Sequence, residues 1–153
     1  MTAKIHFRLE PDQDGFPPIS VEMLNATPLG DGLFRIENAP FFVREISFND
    51  VVRASSTKQQ GQYRYEEVVQ PSEFTSLSII ILDSSMNTLL LDLLRGLKCV
   101  IEYGEFGVYR VLAVAVPSTV DYESLRRRLQ ALEDNKLLSF SELAVSNRNS
   151  RAR

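Results

Sequence analysis

The chain is poor in the residues from which most chemistry is built. Its 153 residues include one cysteine, one histidine and no tryptophan. A single cysteine, Cys99, excludes an internal disulfide and a zinc site made of cysteines, and it suits a reducing cytosol. The lone histidine, His6, leaves a Ser-His-Asp or Cys-His arrangement one possible base, placed in the first strand. His6 reads better as a half-exposed strand residue, and Cys99 as a small hydrophobe entering a strand. No GxGxxG, Walker-type or HExxH pattern occurs. The nearest glycine pair, in YGEFGVY, precedes no helix and reads as a hairpin turn. Long apolar runs are also missing. SIIIL and VLAVAVP fall far short of the roughly 20 residues that span a bilayer. The start, MTAKIHFRLE, lacks the apolar stretch of a secretory signal. A cytoplasmic protein with no membrane partner is expected.

The net charge is −3. The last eight residues, SNRNSRAR, hold three arginines and no acid, and without those charges the body carries −6. An acidic body argues against binding a phosphate backbone and suits a basic protein partner. Residues 147–153 read as a disordered basic tail. The run Arg126–Arg128 sits between apolar helix positions. Glu123 precedes Arg127 by four, so the run reads as a solvated helix face.

Residues 1–71 are β-rich. KIHFRLE and ISVEMLNATPL alternate, the latter with Ile19, Val21 and Met23 on one face. An Asp-Gly turn in GDG leads into LFRIEN. Pro40 breaks the strand, and ISFNDVVRAS resumes β character through Ile46, Phe48, Val51 and Val52. In YRYEEVVQ, Tyr63, Tyr65 and Glu67 fall on one face and Arg64, Glu66 and Val68 on the other. Adjacent Glu66 and Glu67 would then point apart and could not share acid-base work. Four or five short strands with tight turns imply a small barrel or curled antiparallel sheet. Asp12 and Asp14 could approach a cation, but the later ligands of a calcium loop are missing, and a polar turn is the better reading. No metal or cofactor is expected.

Residues 72–146 follow a clearer order. SLSIIILD is apolar on both faces and should be a central strand. SSMNTLLLDLLRGLK is a helix, with Ser84 or Ser85 as its cap and Gly96 at its end. CVIEYGEFGVYRVLAVAVP reads as two strands turning at GEFG. PSTVDYESLRRRLQALEDN is a second helix, and FSELAVS a last strand. The β-α-β-β-α-β order is that of a ferredoxin-like unit, so the class is α+β. On the third strand Val108, Arg110, Leu112, Val114 and Val116 share one side, and Tyr109, Val111, Ala113 and Ala115 the other. If helices cover one side, the β-rich half or a second chain must cover the other.

The pieces LFRIENAPFFVREISFNDVVRA, EEVV and VAVPSTVDYESLRRRL resemble a bacterial family, domain of unknown function number four-two-six-five. The resemblance spans about Gly30 to Val145 and rests most on NAPFF, SFNDVV and VDYESL. It implies a bacterial cytoplasmic protein without known chemistry and transfers no catalytic residue. In its central stretch, Phe41, Phe42, Ile46, Phe48, Val51 and Val52 suit a core sealing two halves together. Asp50, after Asn49, fits a turn in which the carboxylate holds nearby amides.

The function expected is that of a non-enzymatic protein-binding module, most concretely an immunity or antitoxin-type protein that blocks a basic partner toxin. The alternative is a small-ligand binder or enzyme with a cleft between the halves, lined by Asp50, Glu67, Tyr109 and Arg110. A further alternative is RNA binding through Tyr109 and Arg110, although SLSIIIL offers no second stacking aromatic. A homodimer through an exposed sheet edge or face is left open.

Overall fold

Alternation of apolar and polar residues makes the first strands. The computed structural model describes residues 2–146; the expected basic tail, 147–153, lies outside them. β1 (Ala3–Arg8) turns Ala3, Ile5 and Phe7 inward. β2 (Val21–Gly30) buries Glu22, Leu24 and Ala26, so the Val21–Met23 face is its outer one. β3 (Leu33–Ile36), β4 (Val51–Ser56) and β5 (Gln62–Gln70) add Phe34, Ile36, Val52, Ala54, Tyr63, Tyr65 and Val68 to the same core. Consecutive strands pair antiparallel. A short parallel pairing of Lys4–His6 with Gln62–Arg64 closes the barrel.

Strict alternation fails in β5. Its register against β4 skips Glu66 and Val69. Each bulge inserts one residue and resets the phase. Tyr65 and Val68 therefore both pack against the core, while Glu66 and Glu67 are both exposed. The two acids do not point to opposite faces, as an unbroken strand would require.

After a linker, residues 71–74, the chain forms β6 (Thr75–Ile81), α1 (Asn87–Gly96), β7 (Val100–Phe106), β8 (Tyr109–Val116), α2 (Tyr122–Asp134) and β9 (Leu138–Ala144). The four strands make one antiparallel sheet in the order β7-β8-β6-β9. Central β6 is the strand whose sequence is apolar on both faces. Both helices cover one side, where Leu90, Leu94, Leu125 and Leu129 pack on Leu77, Ile79, Leu112 and Val114.

Two local details differ from expectation, and a third, the end of α1 at Gly96, agrees with it. Asp83, not Ser84 or Ser85, caps the 3-10 turn Ser84–Met86 that leads into α1, because its Oδ1 accepts the Ser85 amide at 2.9 Å. The β7–β8 turn falls at Gly107–Val108, two residues beyond Phe106. Gly96 is the last residue of α1, and the left-handed residue that follows is Lys98 (φ 65°). The Lys98 amide bonds to the Arg95 carbonyl and the Cys99 amide to that of Leu94, which is a Schellman closure. α2 ends the same way at Lys136 (φ 60°).

The sheet's other side is covered from within the chain. Residues 37–50 contain no strand, contrary to the β reading of ISFND. Glu45 (φ 67°) and Asn49 (φ 69°) are left-handed, which no extended run tolerates. The apolar spacing there serves two neighbours instead. Val43 and Ile46 enter the barrel core, whereas Phe41 and Phe48 pack toward Ala113 and Ala115 on β8. Phe42 and Phe106 lie edge-on at 4.9 Å, Phe41 and Phe106 at 5.1 Å, and Phe48 and Phe74 at 5.1 Å. Small residues form the floor on which these rings sit. A Cβ on Gly104 would come within 2.7 Å of the Phe106 ring and 3.0 Å of the Phe41 ring. Burying each phenylalanine stabilises by about 1.5–3 kcal/mol, so this layer joins the barrel to the sheet.

Candidate functional site

Three buried or half-buried acids hold the joining segment by its backbone. Glu22, on β2, accepts the amides of Phe41, Phe42 and Val43 at 2.6, 2.9 and 3.0 Å. Glu102, on β7, accepts the Ala39 amide at 2.9 Å and the Asn38 side chain at 3.2 Å. The barrel and the sheet thus each contribute a carboxylate to one loop. Burial raises the Glu22 pKa, the three amides oppose that, and the Glu102 charge adds to the rise.

Asp50 performs the same task at the seam. Its Oδ2 accepts the Ser47 amide at 2.9 Å, closing the turn expected of an Asn-Asp pair. Its Oδ1 accepts the Ser72 amide at 2.7 Å, and the Ser72 hydroxyl donates to the Phe48 carbonyl at 2.7 Å. Burial pushes the Asp50 pKa up against these bonds.

Beside Asp50 opens a cleft of about 460 Å³ between the joining loop, the linker and the end of β9. Glu45, Asp50 and Glu73 supply its acids, Ser47, Ser72 and Ser146 its hydroxyls, and Phe74 and Val145 its apolar surface. Glu45 holds its left-handed conformation there while its amide bonds to the Leu143 carbonyl at 2.9 Å. Tyr65 lies close by. Its pKa is raised by burial and then by the charges of Glu45, Asp50 and Glu67.

Of the four residues expected to line a cleft, Asp50 alone lines this one. Glu67 lies on β5 outside its lining, exposed and paired with Arg53 at 3.5 Å. Tyr109 and Arg110 begin β8, whereas the seam meets that strand at its far end, where Val116 pairs with Thr75. Six residues of strand put them roughly 20 Å away. Tyr109 packs edge-on against Phe16 at 5.4 Å, on the sheet face that the loops cover. Arg110 lies on the helix side, in the field of Asp83 and Tyr103.

The other candidate groups have structural occupations. His6 Nε2 is 2.7 Å from Gln62 Oε1, across the parallel pairing that closes the barrel. Burial pushes the Cys99 thiol up to about 11, so little thiolate exists near neutral pH. Asp12 Oδ1 accepts the amides of Asp14 and Phe16, which makes the loop a self-bonded turn. Among the described residues, no three His, Cys, Asp or Glu side chains gather to hold a metal ion, and no helix is long and apolar enough to cross a membrane. Sequence reading missed Glu22 and Glu102. Glu22 carries one signal, an acid placed two residues before Leu24 on the inward face that Leu24 and Ala26 continue.

A closed barrel and an open helix-covered sheet, locked by carboxylates that bind backbone, define a two-part α+β protein with an acidic seam. A model of the family described as Domain of unknown function (DUF4265) matches residues 22–140, and the chain belongs to that family. No curated protein matches the sequence. A crystal structure of a hypothetical protein from Neisseria gonorrhoeae has the same fold. It superposes with a TM-score of 0.78 over 95% of this chain and 96% of its own, at 22% identity.

Proposed function

We propose that the chain is a non-catalytic protein-binding module of the bacterial cytosol, most concretely an immunity or antitoxin-type protein that occludes a basic segment of a partner toxin. One observation carries this reading: Glu45, Asp50 and Glu73 line one cleft. A cleft of that sign attracts a lysine- or arginine-rich segment and disfavours phosphate. Glu45 is held in a disfavoured backbone conformation at its rim, and such strain gathers at functional positions. The carboxylate of Asp50 holds two amides and serves as scaffold, while Glu45 is exposed and presents charge.

The sheet itself reads as a ferredoxin-like unit, supported by its element order and by helices on one face. The loops that cover its other face speak against RNA binding there, since Tyr109 is packed against Phe16. A small-ligand reading keeps one support, the cleft volume of about 460 Å³.

The test is co-expression. Each gene adjacent to this one is expressed alone and together with the chain. A neighbour that arrests growth alone and permits it in company of the chain supports the immunity reading. If no neighbour behaves so, that reading fails.

A further inference from the structure

The sheet has two edges, and the chain treats them differently. β9 is covered at its C-terminal end, where the Glu45 amide bonds to the Leu143 carbonyl at 2.9 Å and Arg44 reaches the Glu142 carbonyl at 3.3 Å. β7 pairs with β8 alone, and among the described residues no backbone hydrogen bond reaches its other side. It is seven residues long and carries neither proline nor lysine, the residues that usually blunt an edge. Its turn is two residues, Gly107 and Val108, so Phe106 and Tyr109 form the closing hydrogen-bonded pair. Counting back from that pair, Ile101, Tyr103 and Glu105 direct their amides and carbonyls outward.

We infer that this edge pairs with β7 of a second copy of the chain, antiparallel about a two-fold axis through Tyr103, to make one continuous eight-stranded sheet. The side chains fit this register. Tyr103, half-exposed, meets its copy, an aromatic pair of the kind that stabilises cross-strand contacts. Glu102 faces Gly104 of the copy, so no acid meets an acid. Ile101 faces Glu105 of the copy. On the helix side, Ile101 and Arg95 line one groove of about 360 Å³ between α1 and β7. Arg95 forms no ion pair among the described residues. The copy's Glu105 would therefore arrive beside a guanidinium that lacks a partner, and the two-fold makes this contact twice. A two-fold interface must be self-complementary in this way. The edge lies across the sheet from the acidic seam, so the inference stands or falls apart from the proposed function.

The experiment is sedimentation equilibrium of the full chain at about 100 µM and low salt, a range where standard-sized interfaces associate. The expected mass is twice the 17.3 kDa of one chain. Arg95→Glu and Glu105→Arg should each weaken association by about tenfold or more, through like charges brought together, and the double reversal should restore it. Tyr103→Pro should give a folded monomer by circular dichroism, because the amide it removes faces outward. A monomeric wild-type chain overturns the inference. So does a dimer that Tyr103→Pro leaves intact, or single reversals that the double does not rescue.

Discussion

The carboxylate of Asp50 and the backbone amide of Ser72 meet at 2.7 Å across the seam between the barrel and the sheet. Asp50 belongs to the turn before β4, and Ser72 to the linker before β6. The same carboxylate closes its own turn on Ser47. One side chain thus fixes both the joining loop and the exit of the linker, and with them the walls of the acidic cleft. Glu22 does the equivalent work deeper in, with three amides.

Asp50→Asn replaces one acceptor oxygen by a donor that faces a backbone amide. Loss of one buried acceptor should destabilise the fold by about 1–3 kcal/mol, read as a lower urea midpoint. An unchanged midpoint would show that the Ser72 amide is satisfied without Asp50.

Glu22 titrates above its ordinary value of 4.5, chiefly through burial. Between 4.5 and the raised folded value the native chain holds more protons than the unfolded one. Stability from this group therefore falls as pH rises through that window and is constant below it. The unfolding free energy of wild type relative to Glu22→Gln should decline with pH across it. A difference that grows with pH would place the folded pKa below 4.5.

Gly104→Ala tests the aromatic layer. Its methyl would sit 2.7 Å from Phe106 and 3.0 Å from Phe41. Overpacking of this kind costs about 1–3 kcal/mol. Phe41→Leu should recover part of the loss when combined with it, and strict additivity in urea unfolding would show that the two positions do not touch.

Ser76 is wholly buried on β6, and its hydroxyl finds no partner among the described residues. Ser76→Ala removes an unsatisfied group of nearly equal size. It should leave stability unchanged or raise it by about 1 kcal/mol. A clear loss would reveal a hydrogen bond to this hydroxyl.

Lys98 and Lys136 end the two helices in the left-handed region. Glycine adopts that region without the Cβ penalty of about 1 kcal/mol. Lys98→Gly and Lys136→Gly should each raise the melting temperature, by up to about 3 °C for a chain of this length. A fall in both would mean that the lysine side chains contribute more than their backbone strain removes.

The order of elements was legible in the sequence because each has its own period. Central β6 declared itself by apolar residues on both faces, and Leu90, Leu94, Leu125 and Leu129 by helical spacing. The turn role of Asp50 was legible from Asn49 beside it. Glu22 was not, since the amides it holds lie about twenty residues away and leave no local pattern. The bulge at Glu66 was hidden for a related reason, as only pairing with β4 shows where the phase resets. Residues 37–50 misled because their apolar spacing answers to two cores at once. Asp50 does line a cleft, but Glu45 and Glu73, which complete its acidic lining, carry no motif.

Charge reversal at the seam is the decisive experiment for an acidic cleft that holds a basic partner. Tagged wild-type chain and the Glu45→Lys variant are used to capture proteins from the native lysate, at low and at raised salt, with native mass spectrometry of the product. The wild-type chain should capture one basic protein in stoichiometric amount, lost from the variant and weakened by salt. A partner retained equally by the variant, or none with the wild-type chain, would contradict the proposed function.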